Sequence, residues 1–122
     1  MVHHNTRKTH CPRGHQYTKS NTKRGAKGER LCRACDLALR AIRRLERRLK
    51  AIEYLGGTCV DCSYHENFDA LEFDHLPQYG PPDRNAIKMT LAWETIRKEL
   101  DKCELVCANH HAIRTAERRR NA

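Results

Sequence analysis

Four of the seven cysteines fall in two Cys-x-x-Cys pairs, Cys32/Cys35 and Cys59/Cys62, and eight histidines accompany them. Leu, Ile, Val and Phe together supply only about a sixth of the 122 residues. So few apolar side chains cannot offset the ordering entropy of the chain unless something cross-links it. Large α/β enzyme folds are thereby excluded. So is a membrane span, because the longest apolar run is four residues, Leu105 to Ala108. The cysteine count is odd, and Met1 to His10 is polar and carries no export signal. A reducing compartment, the cytoplasm, and metal ligation fit this better than a disulfide framework. Disulfides and inert buried thiols remain the alternatives.

Spacing divides the ligands into two structural zinc sites. Cys11, His15, Cys32 and Cys35 would close a zinc ribbon over residues 11–35, with His10 as a less suitably spaced competitor for the imidazole position. Tyr17–Thr18 and Arg30–Leu31, on either side of Gly25 and Gly28, suggest a short hairpin within it. Cys59 and Cys62 need two partners, and Cys107 with His110 supply them at Cys-x-x-His spacing. Cys103 is left as a small buried thiol, a pairing with Cys107 being the other option. Residues 1–10 read as a flexible tail in which His3 and His4 could also ligate.

From Arg33 to Leu55 the apolar residues Ala34, Ala38, Ala41/Ile42, Leu45, Leu49, Ile52 and Leu55 recur at spacings of three and four, a helix that Gly56-Gly57 stops. The stripe is expected to be core, or a docking face for a second copy or a larger machine. Around it lie Arg40, Arg43, Arg44, Arg47, Arg48 and Lys50. Residues 1–55 carry a net charge of +11 and residues 56–122 a net charge of −2. The first half thus has the charge of a nucleic-acid grip, whose contacts would be to the DNA backbone. The organisation expected is a tail (1–10), a ribbon (11–35), a basic connecting helix (36–55) and a second module (56–122), in all a small zinc-stabilised α+β protein.

In that second module Leu71 to His75 alternates as a strand, with Leu71 and Phe73 pointing one way and Glu72 and Asp74 the other. A loop rich in proline follows. A short helix from Thr90, read as its N-cap, runs to Asp101, and a basic helix spans Ala112 to about Arg120. Closing the second zinc brings Asp74 and His75 near His111. A carboxylate and an imidazole can hold a hard divalent cation, and a second imidazole can accept a proton from an attacking water.

Cys59-x-x-Cys62, Phe73-Asp74-His75 and Leu105-Val-Cys107-x-x-His110-His111 together resemble the HNH endonucleases of the ββα-metal fold, in particular the phage recombination endonuclease VII group. The resemblance covers about Gly56 to Arg118. It implies a phosphodiester hydrolase acting on DNA, with His75 as general base and Asp74 and His111 on a catalytic Mg²⁺ or Mn²⁺. The chain departs from the pattern twice. His110 stands where the family's zinc ligand is usually Cys. Lys102 stands where an Asn usually orients the base, and Asn109 is either its substitute or a helix N-cap. Lys102, Arg114 and Arg118 are further candidates for phosphate contact. The competing reading is a non-catalytic zinc protein that binds nucleic acid, or assists packaging, on a degenerate scaffold of this kind.

Overall fold

The computed structural model describes residues 8–82 and 87–122. His3 and His4, and most of the expected tail, lie outside them. Among the described residues the chain is a small α+β protein of three α-helices and two two-stranded sheets, dividing into two units between Arg43 and Arg44.

In the first unit β1 (Thr22–Arg24) pairs antiparallel with β2 (Arg30–Cys32). Gly28 turns the hairpin at a φ of 77°, where a side chain would be strained. The strand starts later than Tyr17–Thr18 because those residues are used otherwise. Tyr17 N–H donates to Thr9 O, and Thr18 O accepts from Asn21 N–H. His10 bridges to Gln16. Residues 9 and 10, expected in the loose tail, are thus bonded into the ribbon, and His10 is not among its four clustered ligands.

The helix α1 (Arg33–Tyr54) begins inside the Cys-x-x-Cys pair and continues into the second unit. Its expected apolar stripe is mostly uncovered: Ile42, Leu45 and Leu49 are exposed, and only Ala51 and Ile52 are buried. These two contribute to separate apolar clusters. Ile52 packs with Leu71, Leu105 and Val106, and Ala51 with Ile96 and Leu100.

The second unit is built on β3 (Leu71–His75) and β4 (Cys103–Cys107), antiparallel, with Asp74 opposite Glu104 and His75 opposite Cys103. Between them comes α2 (Trp93–Leu100). Its N-cap is Ala92 rather than Thr90, and no side chain caps it. After β4 the chain enters α3 (Ala108–Arg120) directly. The N-cap of α3 is Cys107, whose sulfur accepts from His110 N–H; Asn109 is an exposed first-turn residue, not the cap. No helix is long and apolar enough to cross a membrane among the described residues.

Candidate functional site

Both expected zinc sets are assembled. Cys11, His15, Cys32 and Cys35 form one group and Cys59, Cys62, Cys107 and His110 the other, the ligand atoms of each lying within 4.8 Å of one another. Tetrahedral zinc with bonds of about 2.3 Å to sulfur sets two thiolates about 3.8 Å apart. Cys11 and Cys35 are 3.7 Å apart and Cys62 and Cys107 3.8 Å apart. The imidazole edges are similar, with His15 Nδ1 3.3 Å from Cys11 and 3.4 Å from Cys35, and His110 Nδ1 3.2 Å from Cys107. The spacing suits a metal ion and not a disulfide, and all seven cysteines are free. The two groups can therefore hold two metal ions, consistent with zinc.

Local backbone prepares each set. His15 N–H donates to Cys11 Sγ and His110 N–H to Cys107 Sγ. Burial raises the Cys11 thiol, but the backbone N–H groups of His15 and Arg13 bring it down to about 6. Burial, with Cys11 and Cys32 beside it, pushes Cys35 up to about 11. In the other set burial likewise raises Cys59, and the N–H groups of Cys107, Cys62 and Asp61 bring it down to about 7. Asn21 is a residue that spacing rules did not find. Its side chain donates to Cys32 Sγ and accepts from Ala34 N–H at the start of α1, so one amide orients a ligand and caps a helix.

Beside the second set, the outer face of β3 meets α3. Asp74 is 2% exposed. His111 Nε2 lies 3.5 Å from its Oδ1, while His111 Nδ1 lies 3.1 Å from Glu72 Oε1. Arg118 forks onto both Asp74 oxygens at 2.7 Å, and Arg114 donates to Oδ2 at 2.9 Å. Arg114 also forks onto Asp61 and reaches Glu104. The register explains this cage: Asp74 and Glu104 face each other across the ribbon, and like charges so placed need a cation between them. Burial would raise the Asp74 carboxyl, but Arg118 and Arg114 hold it below the usual aspartate range. His111, Arg114 and Arg118 recur at three and four along the sequence, one face of a helix, which was the available signal for the cage.

His75 does not join Asp74 and His111. Being the next residue on a strand, it points to the other face, with Leu71 and Phe73. Its Nε2 is buried, lies 3.5 Å from Glu99 Oε2 on α2 and has no hydrogen bond among the described residues, while the residue borders a cavity of about 160 Å³ with Tyr79, Glu99 and Lys102. Cys103 donates to Glu99 O and is pushed up to about 12 by burial, the small buried thiol expected. It stands four residues along β4 from Cys107, about 13 Å away at strand rise, which excludes a pairing.

Several cations expected on DNA are engaged by the protein. Arg40 pairs with Asp36 and Lys102 with Glu99. Arg47 donates to Met89 O, Arg48 to Phe68 O and Leu71 O, and Lys50 lies over the Trp93 ring. Arg114 and Arg118 serve carboxylates, as above. Arg43 and Arg44 are exposed, with no hydrogen bond or ion pair among the described residues. Comparison with known proteins gives no match: no family model, no curated protein and no solved structure aligns with the chain.

Proposed function

We propose that β3, β4 and α3 make a metal-dependent nuclease module of the HNH kind, hydrolysing DNA phosphodiesters, with the basic surface of α1 contributing backbone contacts. The observation that carries this reading is the buried Asp74 carboxylate with His111 Nε2 3.5 Å away, immediately after a Cys₃His knuckle. The donor set suits a hard divalent cation, one carboxylate oxygen and one imidazole nitrogen. Glu72 beside Nδ1 supports it further, because a carboxylate that accepts a hydrogen bond from Nδ1–H leaves the Nε2 lone pair facing Asp74. Asp74 and His111 would hold Mg²⁺ or Mn²⁺, which supplies charge neutralisation at the phosphate and the leaving 3′-oxygen.

His75 accepts the proton of the attacking water in this reading. Glu99, whose Oε2 lies 3.5 Å from His75 Nε2, takes the orienting role that Lys102 cannot in this reading. The scissile phosphate then belongs at the His75 end of β3, where Asp74 and His75 are successive residues on a narrow ribbon. A second reading, a non-catalytic nucleic-acid-binding protein on the same scaffold, is favoured by one arrangement: Asp74 is already filled by guanidinium groups while His75 faces away.

Nicking of supercoiled plasmid with Mg²⁺ or Mn²⁺ separates the two. Metal-dependent nicks from the wild type that disappear in His75→Ala support the nuclease. Salt-sensitive DNA binding with no nicks selects the second reading. Equal cutting by the variant removes His75 from the mechanism.

A further inference from the structure

The two arginines on Asp74 are not equivalent. Arg114 is 18% exposed and tied to three carboxylates, Asp61, Asp74 and Glu104, so it is part of the fold. Arg118 is 35% exposed, and among the described residues its hydrogen bonds go to Asp74 alone. It stands in the last turn of α3 beside Arg119 and Arg120, both exposed. A guanidinium fork that fits a carboxylate fits a phosphate equally well.

We propose that Arg118 is a displaceable stopper on Asp74, released when a backbone phosphate of the nucleic acid takes its guanidinium and a divalent cation takes the vacated carboxylate. The proposal rests on the nuclease reading for the identity of both ligands. Its physical basis is charge balance. Withdrawing Arg118 alone strips a buried carboxylate of its fork, and adding a cation alone crowds like charges around Asp74; each half step is costly. Performed together, every charge keeps a partner. Cation and phosphodiester therefore bind with positive coupling, and the coupling is reciprocal. Arg114 stays in place throughout and keeps Asp74, Asp61 and Glu104 from repelling one another. The cation site is thus closed when no nucleic acid is present, a positioning role for Arg118 rather than a catalytic one.

The test is Mn²⁺ affinity of the zinc-loaded full chain without DNA, read by water-proton relaxation, for wild type, Arg118→Ala, Arg118→Gln and the Arg118→Ala/Asp74→Asn double variant. If the wild-type carboxylate is open only about a tenth of the time, either single variant binds Mn²⁺ about tenfold more tightly, and the double variant loses the gain. A phosphorothioate duplex supplies the converse reading: Mn²⁺ strengthens its binding to wild type, measured by anisotropy, and does so much less in Arg118→Gln. Unchanged Mn²⁺ affinity in both single variants, each with two zinc ions retained, overturns the stopper even if the wild type nicks DNA. A gain in Mn²⁺ affinity without nicking by any variant keeps the stopper and sinks the nuclease. No Mn²⁺ bound in any variant sinks both.

Discussion

The two Cys₃His groups share their chemistry and differ in what surrounds them. In the first unit Cys11 and Cys32 are the only buried residues among those described, so the ligands themselves are the core. In the second, Cys59 and Cys107 pack against Ile52, Leu71, Leu105 and Val106, and a further cluster holds Ala51, Ile96 and Leu100. The same knuckle therefore does two jobs. In the ribbon a bound metal would supply nearly the whole folding energy; in the second unit it would fasten a corner of a structure that also has apolar burial. The lesson is that a metal site's structural weight is set by the apolar surface around it.

The largest effect should come from breaking the first group. Structural zinc contributes on the order of 10–16 kcal/mol in small zinc domains. Cys35→Ser should lower the zinc content from two to one and abolish hydrogen-exchange protection across Thr22–Cys32, while protection of β3 and β4 persists. Cys62→Ser should also cost one zinc but leave residual protection around Leu71, Leu105 and Ile96. If Cys62→Ser unfolds its unit as completely as Cys35→Ser unfolds the ribbon, the contrast drawn between them is wrong.

A second expected effect sits only in the second unit. Asp74→Ala removes the anion shared by Arg114 and Arg118, and breaking a buried ion pair in this way costs about 3–5 kcal/mol. Denaturant unfolding followed by Trp93 fluorescence measures it. The sign with pH follows from the folded state. Asp74 and Asp61 both titrate below the usual aspartate value because of Arg118 and Arg114, so their contribution is complete above about pH 4 and is lost as acid protonates them below it. The variant should show a shallower loss of stability on acidification than wild type. An identical acid profile in both would mean that the cage adds nothing to folding.

Ligand spacing made both Cys₃His groups legible, since a tetrahedral ion constrains short-range sequence directly. Alternation likewise placed Glu72 and Asp74 on one face of β3 and Leu71 and Phe73 on the other. Tertiary facts were hidden. The periodicity of α1 is real, yet most of its stripe finds no cover, because periodicity reports a face and not a partner. The pairing of Asp74 with Arg118 depends on strand register and helix placement, which no local pattern encodes. The same alternation that correctly placed Asp74 also separates His75 from it, a consequence that the motif Asp74-His75 conceals when read as a unit.

The smallest expected effect tests where α1 changes character. Tyr54, its last residue, donates a hydrogen bond to Asp101 at the end of α2 and meets Trp93 edge-on at 5.8 Å between ring centroids. Tyr54→Phe keeps the ring contact and removes only the hydroxyl, a small loss from one solvent-exposed hydrogen bond. Ile42→Ala, on the uncovered stripe, should change stability by no more than about 0.5 kcal/mol, as surface substitutions usually do. Urea unfolding of the two variants side by side therefore reads the helix directly. A larger loss for Ile42→Ala than for Tyr54→Phe would mean that the stripe is covered in solution, and that the first unit has apolar burial beyond its metal ligands.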